Sequence, residues 1–519
     1  MTPIDFFWAS VRRHPDADAA IEVAANGQLI HRLSYGVLAQ QVNAAAAAFQ
    51  QLSRQRRPRI VIASRNSMEM LICILATYHC RGLLVPLTPK SPEAELRRQI
   101  EAAKPDLLVL DEFANALASR QTVPVLRIGQ GGGDGPRFEP PLAIGRAADI
   151  AEANGDDTMA IKFTGGSSGR PKAVLQSVRC LNTMMASVKE VYGLDSTDRF
   201  LLSPPMTHGA GGFVIPVLAA GGCLVIMDGA KAAVILDAMA AYEITGTWVP
   251  PTLLYQMLDE QAKQPRPLSR LRNLLYGGAG ATMERLLQAR SLLGPVIGVT
   301  YGLTEAPMII AGMPGKDSAV DANLGSSGCA GPLSRLAILG QDGRLCAPNE
   351  MGEIVARGDL LMSGYLNMPA ETEAAMPDGW LRTGDVGYLD DRGYLFIKGR
   401  SKEVIISGGF NVYPSDIEDS LAQHEDVAES VVFGVPDAHW GERVEAVVEL
   451  KQQSHVTAES LRDHLRDKLG AVRTPKAIHI VAQLPRNSLG KVQKRQLRDE
   501  FIEKFGHSNP DNQHKEITA

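Results

Sequence analysis

Short apolar runs alternate with longer helical stretches along most of this chain, and no other feature of the sequence narrows the fold as much. Residues 59–63 (RIVIA), 83–85 and 107–110 are brief apolar runs set off by Pro58, Pro86 and polar neighbours, so each reads as a buried strand. Residues 38–52, 67–81 and 94–103 carry helical periodicity. Strands separated by helices of about 10–15 residues make βαβ units, whose strands lie parallel in one sheet. The alternation resumes after Thr158, with strands at 161–163, 223–227 and 273–276, and runs to Gly302. From Leu336 the character changes. Strands at 335–339, 352–357, 387–389 and 394–398 come with Asp342-Gly343 and Arg392-Gly393, both hairpin-turn candidates, and imply a β-rich subdomain. Past Arg400, helices at 415–424 and 457–468 mix with strands at 429–434, 443–450 and 477–481. The domains expected are 1–400 (about 1–335 α/β, 336–400 β-rich), a small α+β domain over 401–505, and a flexible tail over 506–519.

Composition removes several classes of function. Lys plus Arg total 53 against 58 for Asp plus Glu, with no basic block, so a nucleic-acid-binding scaffold is not expected. Cys73, Cys80, Cys180, Cys223, Cys329 and Cys346 stand apart without a CxxC pair. That suggests neither a disulfide framework nor a zinc site, and fits free thiols in a reducing cytoplasm. The N-terminus lacks the basic flank and apolar core of a signal peptide. The uncharged run 203–227 holds five Gly and three Pro, a poor bilayer-spanning helix, and reads as buried interior. No integral membrane segment is expected. Residues 129–135 (GQGGGDG) read as a surface loop.

The chemistry begins where the strand at 161–163 ends. Thr164-Gly165-Gly166-Ser167-Ser168-Gly169-Arg170-Pro171-Lys172 gathers glycines, hydroxyls and cations in one short loop. Glycines let backbone N–H groups turn toward an anion, and the hydroxyls and Lys172 add donors. It is not a Walker loop, because Arg170-Pro171 separates Gly169 from Lys172. A solvated loop uses Gly and Ser equally well, but the Pro-Lys ending points to nucleotide phosphate. Later motifs follow in order. They are Tyr301-Gly302-Leu303-Thr304-Glu305, Thr383-Gly384-Asp385, Lys398-Gly399-Arg400-Ser401-Lys402-Glu403, Ser407-Gly408-Gly409-Phe410-Asn411-Val412-Tyr413-Pro414, and Pro485-Arg486-Asn487-Ser488-Leu489-Gly490-Lys491. Together they resemble the adenylate-forming (AMP-binding) superfamily, in its acyl-CoA synthetase branch of fatty-acid and small organic-acid CoA ligases. The phosphate loop departs from the usual T-S-G-T-T-G-x-P-K-G at Gly165, Ser167, Ser168 and Ala173, and Gly165 removes one hydroxyl donor.

The resemblance implies a large N-terminal domain of two mixed or parallel α/β sheets plus a β-rich subdomain, and a small, mobile α+β C-terminal domain. It implies ATP, Mg²⁺ and coenzyme A as cosubstrates and cofactor, with AMP and pyrophosphate as products. By the same resemblance Thr164, Gly165, Gly166, Ser167, Ser168, Gly169 and Lys172 hold phosphate. Gly277, Gly278, Ala279, Tyr301 and Gly302 border adenine, and Asp385 and Arg400 take the ribose. Glu305 holds the metal, Thr304 donates to the α-phosphate, and Lys491 bridges the acid and that phosphate. Lys402 is the hinge, Ser407, Gly408 and Gly409 admit pantetheine, and His208 stands beside the carboxylate. Gly209, Trp248, Gly298, Thr300 and Met308 complete the acyl pocket, with Thr300 narrowing a wall where relatives often carry glycine. The alternatives are a free-standing adenylation enzyme that loads a carrier-protein thiol, and a nucleotide-binding relative without catalysis. A cytoplasmic location and a homodimer complete the expectations.

Overall fold

The structure, a computed structural model, describes residues 1–119, 122–129, 138, 148–164, 172–437, 439–451, 454–470, 473–486 and 492–505. Gly165, Gly166, Ser167, Ser168, Gly169 and Lys491 of the predicted site lie outside these residues, as do most of loop 129–135 and the tail 506–519. The chain packs as two units. One comprises Met1–Ala281, Gln288–Ala337 and Val355–Thr383; the other comprises Thr282–Leu287, Ile338–Ile354 and Gly384–Ala519.

Two sheets build the first unit. A seven-stranded sheet runs in the order Gly364–Tyr365, Ala173–Ser177, Thr158–Phe163, Leu83–Leu87, Arg59–Ala63, Leu107–Leu110, Val125–Arg127. A nine-stranded sheet has at its centre the parallel strands Cys223–Met227, Arg199–Leu202, Gly246–Val249, Asn273–Gly277 and Ile297–Tyr301. These strands are apolar on both faces because helices cover both, as parallel sheets require. The crossover helices start where the sequence supplies a cap: the Ser67 hydroxyl accepts from Met70 N at 3.1 Å, and that of Ser177 accepts from Cys180 N at 3.2 Å. The mixed α/β architecture that the motifs imply is the one present.

Three details differ from the sequence reading. Asp18–Val23 and Leu29–Ser34 are strands that local pattern did not disclose, and Asp18–Val23 joins Cys223–Met227, some two hundred positions away in the chain, in parallel. The strand expected to close at Pro86 runs through it to Leu87, with Pro86 opposite Ile62. On its other side the register to Thr158–Phe163 is the single pair Leu84↔Ala160, so the N–H that proline lacks is not called for there. The strand expected at 387–389 spans Leu381–Leu389 and takes in Thr383-Gly384-Asp385.

In the second unit Val427–Asp437 and Gly441–Leu450 form the long antiparallel pair of a five-stranded sheet. Alternate residues face opposite sides. Val432, Val444 and Ala446 pack with Ile417, Leu421, Leu461 and Leu465 of the helices Pro414–Ala422 and Ala458–Leu469. Val431, Phe433 and Val435 pack with Leu497 of the helix Lys494–Phe505. Leu395–Arg400 lies antiparallel to Leu381–Leu389, with Asp385 opposite Arg400. Among the described residues no helix is long and apolar enough to cross a membrane. None of the six cysteines is joined in a disulfide.

Candidate active site

The predicted residues of the first unit cluster at the carboxyl ends of parallel strands, where open α/β sheets bind ligands. Thr164 follows Thr158–Phe163, and Gly278-Ala279 follow Asn273–Gly277. Gly302-Leu303-Thr304-Glu305 follow Ile297–Tyr301, and the segment with His208 follows Arg199–Leu202. Thr164 N donates to Lys172 O at 3.0 Å, which closes the base of the glycine loop. Gly277 must be glycine: a Cβ there would stand 2.4 Å from Thr300 Oγ1. Gly278 has φ +80°, left-handed backbone that glycine adopts freely, and it and Ala279 are exposed beyond a buried strand.

Glu305 is held from several sides. Tyr365 Oη donates to Glu305 Oε1 at 2.8 Å, and Met362 N donates to Glu305 O at 2.8 Å. Gln176 Nε2 donates to Thr304 O at 2.8 Å. Burial, and then the charge of Glu305, push the Tyr365 hydroxyl's pKa up, so it remains the donor in this bond. Lys172 Nζ lies over the Tyr365 ring, 4.5 Å from its centroid. Among the described residues no cluster of three His, Cys, Asp or Glu side chains could cage a metal. A carboxylate whose second oxygen takes no hydrogen bond among the described residues suits Mg²⁺, which takes one or two carboxylates and completes its shell with phosphate and water.

Among the residues predicted for the acyl pocket, one indole joins three motif segments. Trp248 Nε1 donates to Thr300 Oγ1 at 2.9 Å, in a buried contact. A Cβ on Gly209 would come within 2.6 Å of the indole, and one on Gly277 within 2.9 Å of Nε1. Met308 sits at φ +66°, and its sulfur would be 2.5 Å from a Cβ on Gly212. Gly302 would meet Met308 N at 2.6 Å in the same way. Gly298 lies on the same strand face as Thr300, and Leu275 and the Met313 carbonyl take up its side-chain space. His208 is exposed, with Nδ1 2.8 Å from Thr207 Oγ1. Partial desolvation, and then the charge of Lys162, hold its pKa below the usual value, so at neutral pH it is a neutral hydrogen-bonding ring.

The second unit carries its own predicted residues. Asp385 is buried, and its Oδ1 is 2.8 Å from Nε of the half-exposed Arg400. Lys402 is exposed in the short turn Ser401–Glu403. Ser407, Gly408 and Gly409 sit at the hairpin of Ile405–Ser407 and Phe410–Val412; Gly408 (φ +58°) and Gly409 (φ +83°) need glycine, and a Cβ on Gly408 would lie 3.0 Å from Trp440. Sequence reasoning missed Tyr365. Its signal was the pair Gly364-Tyr365 ahead of Pro369, where Gly364 has φ +144° and Tyr365 N donates to Thr372 Oγ1 at 2.9 Å.

Comparison with known proteins matches these regions. The model of the AMP-binding enzyme family matches residues 7–366, and that of the AMP-binding enzyme C-terminal domain matches 416–491. A medium/long-chain-fatty-acid–CoA ligase of Mycobacterium tuberculosis is 31% identical over 500 residues, covering 92% of this chain and 87% of the relative. The amide bond synthetase of Marinactinospora thermotolerans superposes with a TM-score of 0.86 at 28% identity, over 96% of this chain and 99% of that one. The o-succinylbenzoate CoA synthetase of Bacillus subtilis, solved with its acyl-adenylate intermediate, superposes with a TM-score of 0.81 at 26% identity, over 95% and 98%.

Proposed function

The chain belongs to the AMP-binding enzyme family, and from that premise we infer that it is an AMP-forming acyl-CoA synthetase. It joins a carboxylic acid to ATP as an acyl-adenylate with release of pyrophosphate, then transfers the acyl group to coenzyme A with release of AMP. Mg²⁺, when bound, would be held by Glu305 and would offset phosphate charge. The observation that carries this reading is Glu305, fixed through Tyr365 and presented at the carboxyl end of a parallel strand, within a family match spanning both parts of the chain.

The residue roles form part of the proposal. Thr164, Lys172 and the loop between them bind the phosphates, and Glu305 takes the metal. Thr304 donates to the α-phosphate, while Gly277, Gly278, Ala279, Tyr301 and Gly302 border adenine. His208, staying neutral, orients the acid beside the wall of Trp248 and Thr300. Asp385 accepts from the ribose hydroxyls while Arg400 holds it. Lys491 supplies the positive charge between acid and α-phosphate. Lys402 is the hinge on which a domain starting at 401 moves to expose Ser407–Gly409 to the incoming thiol. We place the enzyme in the cytoplasm, as a homodimer.

A panel of carboxylic acids tests the reading. ATP–pyrophosphate exchange should appear with a subset of acids, and AMP formation with that subset should require free coenzyme A. Exchange with no acid would overturn the proposal. Turnover with a pantetheinylated carrier protein or an amine, but not with coenzyme A, would overturn its second step.

A further inference from the structure

We propose that Tyr365 is a positioning residue that keeps Glu305 and Lys172 apart as separately available charges, one for the metal and one for phosphate. The inference rests on the reading of Glu305 as the cation ligand. Both charged groups touch the same phenol. Its hydroxyl donates to Glu305 Oε1 at 2.8 Å, and its ring lies beneath Lys172 Nζ at 4.5 Å from the centroid. Among the described residues Lys172 makes no ion pair. An ammonium and a carboxylate brought this close would otherwise tend to pair, and each would then be masked from its ligand. A neutral hydrogen-bond donor fixes the carboxylate without cancelling its charge, and an aromatic face seats the ammonium without supplying a counter-ion.

The surrounding backbone is built to hold that phenol in place. Gly364 and Tyr365 pair with Leu175 and Val174, in the strand that leaves the phosphate loop. Ser363 N donates to Leu175 O at 2.9 Å, Leu366 N to Ala173 O at 2.8 Å, and Met362 N to Glu305 O at 2.8 Å. The five residues 362–366 thereby tie the segment bearing Glu305 to the strand that begins just after Lys172. Tyr365 is 8% exposed, so its orientation is set by packing as well as by these bonds.

The test compares wild type, Tyr365→Phe and Tyr365→Leu by calorimetric titration of ATP over a range of Mg²⁺ concentrations, without acid. Tyr365→Phe keeps the ring and loses the hydroxyl. It should bind metal-free ATP like wild type, yet need about tenfold more Mg²⁺ for the metal-dependent gain, the effect of losing a hydrogen bond to a charged group. Tyr365→Leu should also weaken metal-free ATP binding, by roughly threefold, as Lys172 loses its seat. Should Tyr365→Leu fail to fold, Tyr365→Phe alone decides. An unchanged Mg²⁺ dependence in Tyr365→Phe overturns the proposal, as does a full additional loss when Tyr365→Phe is combined with Glu305→Gln. Because the readout is nucleotide binding, it stands apart from the acid panel, whose failure would strike the acyl-CoA synthetase reading instead.

Discussion

Two regions of this molecule handle opposite charges in opposite ways. In the first unit Glu305 and Lys172 are held by a shared tyrosine and make no ion pair with each other. In the second unit Asp385 and Arg400 pair directly at 2.8 Å, across adjacent antiparallel strands. The proposed ligands account for the difference. Phosphates and a metal ion are charged, so the groups that bind them must keep their charge uncompensated. A ribose diol is neutral and needs only acceptors, and a carboxylate already bonded to a guanidinium still has lone pairs to offer. Asp385, being buried, would be costly as an unpaired anion, so the pair serves the fold and the ligand together.

The sharpest way to break this contrast lies at Lys491. Lys491 is the residue proposed to supply positive charge between the acid and the α-phosphate, a role the Asp385–Arg400 pair does not fill. Lys491→Ala should therefore cut ATP–pyrophosphate exchange by roughly 10³-fold, at the upper end of losing one electrostatic contact to developing charge. Thioester formation from a supplied acyl-adenylate should be largely spared. Equal loss of both steps would remove Lys491 from this role. Glu305→Gln comes next, at about 10²-fold in exchange, because the neutral amide keeps shape and bonding but not charge. If exchange in Glu305→Gln stays near wild type, the carboxylate is structural and the contrast with Asp385 disappears.

How much of this was legible in the sequence depends on where the causes lie. The strand Arg59–Ala63 was readable because four consecutive core residues, Ile60 to Ala63, leave a local trace. The two strands nearest the N-terminus were not, because their partner Cys223–Met227 is far along the chain. The motif Tyr301 through Glu305, by its family resemblance, singled out Glu305 as the proposed metal carboxylate, whereas the phenol that fixes it comes sixty residues later, in a two-residue strand with no periodicity to detect. Thr300 was expected, by the resemblance, to narrow a wall, but its acceptance of the Trp248 N–H was not foreseen, since a side-chain bond between strands has no sequence signature.

The second unit should also separate the half-reactions. Lys402→Pro fixes φ within the turn Ser401–Glu403. It should slow thioester formation by about 10²-fold through misplacement, while exchange changes little. Equal slowing of both steps would deny the hinge. Asp385→Asn is expected to raise the KM for ATP about tenfold, the value of weakening a charged hydrogen bond, with kcat changing less. Because Arg400 is half exposed it can rehydrate, so stability should fall by only about 1 kcal/mol. A collapse of kcat with unchanged KM would mean that this pair acts on developing charge, as Glu305 is proposed to do.

The smallest expected effect concerns a wall that uses no charge. Trp248 and Thr300 meet through one buried hydrogen bond, and the indole occupies the space that Gly209 leaves open. Thr300→Val keeps the volume and removes the acceptor, leaving the Trp248 N–H unpaired. The expected cost is about 1–2 kcal/mol in stability, read as a lower melting temperature. The indole, no longer tied, should also relax discrimination among acids by size, by about threefold, a fraction of what a methylene-sized change in a pocket is worth. ATP binding should not change, because neither side chain is proposed to contact the nucleotide. If Thr300→Val weakens ATP binding while acid preference stays fixed, the Trp248–Thr300 wall faces the nucleotide, and the acid site must be sought on another side of His208.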